Sequence, residues 1–599
     1  MTYTIPEEYY SNRIIELETK KATQSRLKSR LAWFRFISII TAFIAAWLIW
    51  STSEAVAIMT FFILSGLFIY FLKQDINNNA AIENTNQLIV LNKSELQILQ
   101  FQFFDLPDGN KYQSAGHSYT NDLDIFGRAS LYQYINRTTS QQGNDTLAKW
   151  LVSPDKESKI HQKQDAVREL TEKTHWRHQL QAFGVTDGIT AATEEKINEW
   201  LLGKNKFIHQ PFWKVLRVVL PVISLTVLAL YIAGLIGSNK FFPSTLLLMI
   251  LAFSISKKVI PAHLKLSKIS PQLETLSNSI AWIENNTFTS LYLQQITNIF
   301  AHSPDKASHK IKGLTRILER LDLRLNFVVF IPLNTFLFWD LQQVFALEKW
   351  KENNKQDIKD WFNGLADMEA ISSIATLRFN HPSWVFPDIS NEDAVFESEN
   401  LGHPLIPANK RVNNNFSTKG VNQLNLITGS NMAGKSTFLR SIGINMVLAM
   451  MGAPVCAAKL TLSPMKVMSS MRISDNLEES TSTFYAELKK LKEIIEAVNR
   501  NEKVFLLLDE ILRGTNSVDR HRGSGALIKQ LIHRKAAGVL ATHDLDLAKL
   551  SDEYPGNIEN YHFDVQVAND ELYFDYKLKR GICQSMNASI LMKKIGIEL

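Results

Sequence analysis

Four long apolar runs interrupt an otherwise polar first half of the chain. Residues 36–53 and 55–72 contain no charged side chain and are separated only by Glu54, and residues 218–237 and 241–256 repeat the arrangement. A membrane hydrocarbon core about 30 Å thick is crossed by a helix of about 20 apolar residues, in which every backbone N–H bonds within its own segment. The pattern therefore predicts two helical hairpins that span a membrane.

The charges around these runs favour a membrane over the alternative, which is a pair of helical hairpins buried in a large soluble core. Basic residues cluster at the outer ends of both hairpins, whereas the two tips contain only Lys240. An excess of Lys and Arg is typical of the cytoplasmic side of a membrane. We therefore expect a multi-pass protein of the cell membrane, with both termini and the C-terminal region in the cytoplasm. The flanking basic residues are Lys28, Arg30, Arg35, Lys73, Lys214, Arg217, Lys257 and Lys258.

A fifth apolar run, residues 325–339, is shorter and contains Asn326, Pro332 and Asn334. If it crossed the membrane, the C-terminal region would lie on the opposite side from the one that the flanking charges indicate. The sequence therefore predicts a buried helix of a soluble domain here.

Elsewhere the first 380 residues carry apolar positions at helical spacing, and after Pro387 the pattern changes to short β-like runs and Gly-rich loops. We expect a multidomain protein in which α-helical membrane hairpins and an α-helical core precede an α/β domain. The expected segments are an N-terminal cytoplasmic helix (1–35), a first transmembrane hairpin (36–72), a first helical part (73–214), a second transmembrane hairpin (215–258), a second helical part (259–384) and the α/β domain (385–599).

Composition adds a few exclusions. The 65 Lys and Arg against 59 Asp and Glu give a formal net charge of +6 over 599 residues, which is too small to indicate a nucleic-acid partner by itself. The hydrophobic share of 45% excludes wholesale disorder. Cys456 and Cys583 cannot form a disulfide framework or a Cys-based zinc site.

A Gly-rich loop stands between an apolar strand and a helical run. Residues 424–428 (LNLIT) predict a buried strand, and GSNMAGKST follows it in the pattern G-x-x-x-x-G-K-[ST]. In such a loop the backbone N–H groups bind phosphate, Lys435 contacts the β- and γ-phosphates and the Ser436 hydroxyl binds Mg²⁺. The alternative, a chance Gly-rich turn, is disfavoured by the strand before it and the helix after it. The predicted phosphate-binding residues are Gly429, Ser430, Asn431, Met432, Ala433, Gly434, Lys435, Ser436 and Thr437.

Two further apolar strands end in residues suited to nucleotide hydrolysis. Residues 505–508 lead to Asp509, which we expect to bind Mg²⁺, and to Glu510, which would orient or deprotonate the attacking water. The next strand ends close to His543, which could contact the γ-phosphate or the water; a capping role without catalysis is the alternative. With Lys435, Glu510 and His543 form the predicted catalytic set, and ATP with Mg²⁺ is the expected substrate and metal.

These motifs resemble those of the MutS family of DNA mismatch-repair ATPases, a branch of the ABC-type P-loop ATPases. The resemblance covers residues 120–200 and 260–599, and it is carried by TGSNMAGKST (428–437), MRISDNL (471–477), STF (482–484) with Glu487, Asp509-Glu510, Arg513-Gly-Thr515 with Asp519, and Thr542-His543. Upstream, LDIFG (123–127) and LAKWLVSP (147–154) are similar to the start of the family's helical core, and Gly402 to Leu405 to the first ATPase strand.

The resemblance implies an α-helical MutS core and lever region followed by a P-loop ATPase of the ABC type. It also implies a homodimer with composite sites, in which Ser482 and Thr483 reach the nucleotide of the opposite subunit. Phe416 and His562 match family positions near the adenine.

The chain also departs from the family. The N-terminal mismatch-reading domain has no counterpart, no β-rich clamp domain is visible, and Ala433 and Arg520 stand where the family has glycine. Three functions therefore stay open, because a family does not by itself specify a ligand. They are a membrane-anchored ATPase that engages duplex or branched DNA, an ATP-driven membrane remodeller or transporter-like machine, and a nucleotide-gated scaffold for a protein partner.

Overall fold

The computed structural model describes residues 5–114, 116–301, 305–418, 420–430, 432–471, 483–568 and 571–583. Over these residues the chain is mostly helical, and its two β-sheets lie in the C-terminal part.

Two very long helices open the chain and lie side by side: α1 (Pro6–Trp50) and α2 (Glu54–Leu99). Residues 36–53 and 55–72 form their adjoining ends, and Arg35 pairs with Asp75 at 3.1 Å where the apolar part begins. Each helix continues without a break from its apolar end into its polar end. The boundaries expected near residues 35 and 73 therefore lie inside continuous helices.

The polar ends of α1 and α2 are fixed to the helical core by buried polar groups. Glu95 on α2 forms an ion pair with Arg137 and accepts a hydrogen bond of 2.8 Å from the Asn380 side chain. Tyr10 on α1 stacks on His178, with ring centroids 5.7 Å apart. Because all of these groups are buried, this end of the hairpin is a fixed part of the core.

The helical part between residues 131 and 380 is interrupted by a second apolar hairpin, α8 (Pro211–Ile232) and α9 (Ser238–Ser267). The helices before it are α3 (Leu131–Ile135), α4 (Gln141–Val152), α5 (Glu157–Glu172), α6 (Thr174–Thr186) and α7 (Ala191–Leu202). The helices after it are α10 (Ser270–Glu284), α11 (Leu291–Ala301), α12 (Ala307–Asp322), α13 (Phe327–Leu337), α14 (Trp339–Asn354) and α15 (Ile358–Asn380).

Four helices are long and apolar enough to cross a membrane: α1, α2, α8 and α9 up to Pro261. Only 6 to 22% of their most apolar 18-residue windows is buried within the protein. Within the described residues these windows are therefore not buried in a core, which disfavours the alternative of two buried soluble hairpins.

Helix α13 contradicts the expectation of a buried soluble helix at residues 325–339. Phe327 and Val328 are 71% and 84% exposed, and only one face of the helix, with Phe330 and Asn334, is buried against α8 and α9. The sequence pattern indicated an apolar helix correctly, but apolar character alone does not distinguish a protein neighbour from a lipid one.

The C-terminal part contains a four-stranded and a six-stranded sheet. The smaller has the order β1 (Asp388–Ile389), β5 (Lys459–Leu462), β2 (Phe396–Leu401), β3 (Asn414–Thr418). The larger has the order β10 (Glu571–Arg580), β9 (Ile558–Ala568), β4 (Leu424–Thr428), β8 (Ala537–Ala541), β7 (Val504–Asp509), β6 (Lys466–Ser470). The helices of this part are α16 (Lys435–Met450), α17 (Thr483–Asn499), α18 (Ser517–His533), α19 (Leu545–Ala548) and α20 (Leu550–Glu553).

All strands of the larger sheet except β10 run parallel. The carboxyl ends of β4, β8 and β7 are therefore neighbours, at the edge where open α/β sheets bind ligands. Every residue of these three strands is buried, in accordance with the covered parallel sheet that their apolar runs predict.

Asp122 connects the helical core to this sheet. Its fully buried carboxylate accepts hydrogen bonds from the Ser469 hydroxyl at 2.7 Å and from the Lys490 ammonium at 2.5 Å. The Asp122 carbonyl also accepts a bond of 2.9 Å from the Arg440 guanidinium on α16. The helix that starts at the Gly-rich loop is thus bonded directly to the helical core.

Candidate active site

The Gly-rich loop leads from the end of β4 to the first turn of α16. Gly429 has φ 144° and Gly434 has φ 105°, which are backbone conformations that favour glycine. A Cβ atom on Gly429 would lie 2.7 Å from the Phe563 carbonyl oxygen, so the close contact with β9 also requires glycine there. The first N–H groups of α16 have no partner within the helix and make its N-terminus a favourable place for an anion.

Lys435, the first residue of α16, folds back over this loop. Its ammonium donates to the carbonyl oxygens of Gly429 at 2.8 Å and Ser430 at 3.0 Å. Burial lowers the pKa of Lys435 to about 8, although the carboxylates of Glu510 and Asp509 act to raise it. The ammonium is therefore held at the loop by weak carbonyl partners that a phosphate could replace.

Ser436 and Asp509 form a pair that fits a divalent cation. The Ser436 hydroxyl donates to Asp509 Oδ2 at 2.5 Å, while Asp509 Oδ1 is buried without a hydrogen-bond partner among the described residues. Burial raises the pKa of Asp509, and the neighbouring charge of Glu510 adds to the effect. A buried carboxylate oxygen without a donor, beside a hydroxyl oxygen, is the kind of ligand set that Mg²⁺ prefers.

Glu510 follows directly after β7, with a positive φ of 48°. Its carboxylate lies 2.5 Å from His543 Nε2 and 2.6 Å from the Arg513 guanidinium. Burial acts to raise the pKa of Glu510, but the hydrogen bond and charge of His543 and the charges of Arg513 and Lys435 outweigh it and lower the pKa. Glu510 is therefore ionised at neutral pH and can accept a proton.

His543 lies just beyond the end of β8, and its imidazole contacts both Glu510 and Lys435. Besides its contact with Glu510, its Nε2 is 3.3 Å from the Lys435 ammonium. The N-cap of α19 is Asp544, whose side chain accepts from the Asp546 backbone N–H at 3.0 Å. The capping role considered for His543 thus belongs to its neighbour.

A cavity of about 550 Å³ opens beside these residues. Its lining includes the end of the Gly-rich loop and the start of α16, with Glu510 and Arg513. It also includes residues that the sequence interpretation did not select, among them His403, Ile406, Arg411 and Tyr576.

Gly402 to Leu405 were expected to be a strand, but β2 ends at Leu401 and the following residues form a loop. This loop brings His403 to the cavity, where burial and the charges of Arg440 and Arg411 lower the pKa of His403 to about 4. Tyr576 comes from β10, far along the chain, and its ring lies 3.1 Å from where a Cβ atom of Gly434 would be. No local pattern links these residues to the loop, so only the tertiary structure could identify them.

Two predicted adenine-side residues do not line this cavity. Phe416 is 2% exposed and packs against Phe438 and Tyr561 in the core. His562 lies on β9, where a ring nitrogen is 3.1 Å from the Gly581 carbonyl oxygen. Asn431 and Ser482 lie outside the described residues, and of Thr483 only its place at the start of α17 is described. Every other predicted phosphate-binding, metal and catalytic residue lies in the Gly-rich loop, in the first turn of α16 or at the ends of β7 and β8.

Glu487 on α17 supports the segment that follows β7. Its buried carboxylate accepts a hydrogen bond from the backbone N–H of Leu512, and the backbone N–H groups of Arg513 and Gly514 act to lower its pKa. Burial raises its pKa. Glu487 thereby fixes the loop that presents Arg513 to Glu510.

Comparison with known proteins agrees with this geometry. The family model for MutS domain V matches residues 425–595, which include the Gly-rich loop, Asp509, Glu510 and His543. The similarity to the MutS family thus covers the part of the chain that contains the candidate site. The match supports the family resemblance that the motifs indicated.

Curated relatives match the chain over about a third of its length. MutS protein homolog 4 of Homo sapiens is 36% identical over 205 residues, which are 32% of this chain and 22% of the human protein. The Mus musculus protein of the same name is 37% identical over 196 residues, 31% of this chain and 20% of its own length. The DNA mismatch repair protein MutS of Clostridium botulinum (strain Langeland) is 32% identical over 227 residues, 36% of this chain and 24% of its length. The chain therefore spans about a fifth to a quarter of the length of these relatives.

Proposed function

We propose that this chain is a membrane-anchored MutS-family ATPase that hydrolyses ATP with Mg²⁺ and works as a homodimer on duplex or branched DNA. The observation that carries the ATPase proposal is the convergence of Lys435, the Ser436–Asp509 pair and the Glu510–His543 pair at one edge of a parallel sheet. Family membership supports the same activity, because the region that matches MutS domain V contains all five residues.

The chain's own groups provide each step of hydrolysis. The N–H groups of the Gly-rich loop and the N-terminus of α16 bind the phosphates, and Lys435 exchanges its carbonyl partners for phosphate oxygens. Ser436 and Asp509 would hold Mg²⁺, which neutralises phosphate charge when bound. Glu510 accepts the proton of the attacking water while the oxygen bonds to the γ-phosphorus and the bond to the β-phosphate oxygen breaks, which releases ADP and phosphate.

His543 suits a role as partner of Glu510 because it contacts both the carboxylate and the Lys435 ammonium. It can keep the carboxylate oriented while the nucleotide binds, and it can donate to the γ-phosphate. The segment of Ser482 and Thr483 would complete the site of the opposite subunit, as the family resemblance implies.

The proposed domain organisation consists of the six segments expected from the sequence. Four apolar helices with outward-facing side chains support the membrane anchor. The flanking Lys and Arg residues support a cytoplasmic position for both termini and for the ATPase domain. The names of the relatives, which refer to MutS and to DNA mismatch repair, support DNA as the ligand.

A second function is favoured by one specific contact. Glu95 of the first hairpin is paired with Arg137 and bonded to Asn380, the last residue of α15, which leads directly to the C-terminal sheets. A nucleotide-driven movement of these sheets would therefore be transmitted directly to the first hairpin. This connection suits an ATP-driven membrane remodeller or transporter-like machine.

The decisive experiment uses the full chain in detergent or nanodiscs. Lys435→Ala should abolish nucleotide binding, whereas Glu510→Gln should bind ATP and fail to hydrolyse it. Glu496→Gln, on the exposed face of α17, is the matched control and should hydrolyse ATP at the wild-type rate. Normal hydrolysis by Glu510→Gln would refute the proposed base.

DNA binding is tested separately by titration of duplex, branched and mismatched DNA at several salt concentrations, with and without ATP. The proposal expects binding that depends on nucleotide and weakens steeply with salt. If DNA changes neither binding nor ATP turnover, the second function replaces the first.

A further inference from the structure

Helix α13 presents an apolar face that no part of the described protein covers. The residues on this face and just before it are strongly exposed: Leu325 (78%), Phe327 (71%), Val328 (84%) and Ile331 (40%). Exposed apolar side chains are unremarkable when they are scattered singly, but these follow one another around a single helix end. The cluster therefore indicates a partner.

The opposite face of α13 is fixed to the second apolar hairpin by specific contacts. The Asn334 amide donates to the Ser256 hydroxyl on α9 at 2.9 Å, and the Ser224 hydroxyl on α8 donates to the Phe336 carbonyl at 2.5 Å. Phe330 meets Phe253 edge to face, with ring centroids 5.8 Å apart. Within α8 and α9 these contacts satisfy polar groups that would otherwise face hydrocarbon, so they stabilise an assembly of three helices.

These contacts place α13 on the membrane side of the basic residues of the hairpin. Ser256 precedes Lys257, and Ser224 lies seven residues after Arg217 towards the hairpin tip. The exposed face of α13 is thus continuous with the exposed apolar faces of α8 and α9. The exposed faces of α8, α9 and α13 must therefore contact the same medium, either lipid or water, where the three helices lie side by side.

The ion pair next to α13 is largely buried. Arg324, just before the helix, pairs with Asp340 at 2.5 Å, and their side chains are only 11% and 1% exposed. Trp339 donates from its indole N–H to the Arg320 carbonyl at 2.8 Å. A largely buried ion pair with a Trp residue beside it is suited to the boundary between lipid and water.

The length and the bend of this segment argue against a fifth full crossing. Helix α13 contains 11 residues and is therefore about 16 Å long, roughly half of a hydrocarbon core. At Phe338, with φ 51°, the chain bends by 80° into α14, whose residues return to the helical core.

From these observations we propose that α13 is a membrane-embedded helix, which lies in the cytoplasmic leaflet against the second hairpin and contacts lipid acyl chains with Phe327, Val328 and Ile331. The inference rests on the proposed membrane anchor. In this proposal the helical core contacts lipid through α13, in addition to the lipid contacts of the four membrane-spanning helices.

The test uses nitroxide spin labels on single introduced cysteines in the full chain, reconstituted in phosphatidylcholine–phosphatidylglycerol vesicles. Collisions with oxygen, which concentrates in hydrocarbon, are compared with collisions with a water-soluble nickel chelate. Val328→Cys is the test position and Phe327→Cys its replicate. Leu247→Cys on α9, 69% exposed, is the lipid reference, and Lys349→Cys, exposed on α14, is the water reference. The wild-type chain, whose Cys456 and Cys583 are buried, is the blank.

The proposal expects an oxygen-to-nickel collision ratio at Val328 that resembles the ratio at Leu247 and exceeds that at Lys349 by roughly fivefold or more. A ratio at Val328 equal to that at Lys349, with Leu247 in lipid, overturns the inference and leaves the membrane anchor intact. A label at Val328 that neither reagent reaches indicates a protein partner on this face and also overturns it. If Leu247 itself is accessible to nickel, the membrane anchor fails first.

Discussion

The Tyr10 hydroxyl donates a hydrogen bond of 2.7 Å to the Asn380 side chain, and this bond joins the start of α1 to the last residue of α15. The two residues are 370 positions apart in sequence, and both are buried. Burial is also the main reason why the pKa of Tyr10 is raised well above its ordinary value. The phenol is therefore neutral and remains a donor throughout the physiological range.

Tyr10→Phe should lower the free energy of unfolding of the full chain by about 1–3 kcal/mol, because the buried Oδ1 of Asn380 loses its hydrogen-bond donor. The measurement is the free energy of unfolding in detergent. Tyr9→Phe is the matched control, since Tyr9 is only partly buried and its hydroxyl has no recorded hydrogen-bond partner among the described residues. Equal stability of the two variants would contradict a structural role for the bond.

Arg137→Leu should lower the free energy of unfolding by about 3–5 kcal/mol, because it leaves the Glu95 carboxylate buried without its counter-ion. Burial acts to raise the pKa of Glu95, and the charge of Arg137 and its hydrogen bond outweigh that effect and lower it. In the wild type the pair therefore stabilises the fold above the ordinary glutamate pKa, and this contribution is lost as the pH falls through the lowered value.

Unfolding of Arg137→Leu at several pH values checks this prediction, and the stability deficit should shrink towards acid pH as Glu95 becomes protonated. Arg168→Leu removes an exposed ion pair with Asp165 and should cost less than about 1 kcal/mol. A deficit that stays constant with pH would show that the loss is one of packing only.

Nucleotide affinity should fall as the pH rises through about 8, the pKa to which burial lowers Lys435. Phosphate oxygens bind the protonated ammonium, so above this pH binding must take up a proton and becomes weaker with each further pH unit. Calorimetric titration of a non-hydrolysable ATP analogue between about pH 7 and pH 9.5 measures the slope and the proton uptake. Lys435→Arg, whose side chain stays charged in this range, should remove the slope; its persistence would assign the effect to another group.

Asp509→Asn should weaken Mg²⁺ binding to the nucleotide complex by roughly tenfold or more, because it removes the charge from the buried Oδ1 that has no donor among the described residues. The thermal shift produced by Mg²⁺ with the ATP analogue is the measurement, and chelation of the metal should reverse it in the wild type. Asp546→Asn, at an exposed position of α19, is the control and should keep the full shift. An unchanged response of Asp509→Asn would exclude this carboxylate as a ligand.

The sequence alone identified those parts of the fold and site in which the residues are close together in the chain. The Gly-rich loop, the acidic end of β7 and the four apolar helices each have a local pattern that follows from backbone geometry or from hydrophobicity. His403 and Tyr576 reach the cavity from a loop and from an edge strand, and no local pattern could place them there. The exposure of Val328 was missed for a similar reason, since periodicity shows that a helix is apolar and does not show what surrounds it.

The unbroken course of α1 from Pro6 to Trp50 makes this helix a single rod of 45 residues, about 68 Å long. One end is clamped at Tyr10, and the other reaches the tip of the first hairpin. A tilt of about 5° at the clamp would displace the distant tip by about 5 Å, on the scale of one helical turn. Small rearrangements at the clamped end of α1 would thereby become larger displacements at the tip of the first hairpin.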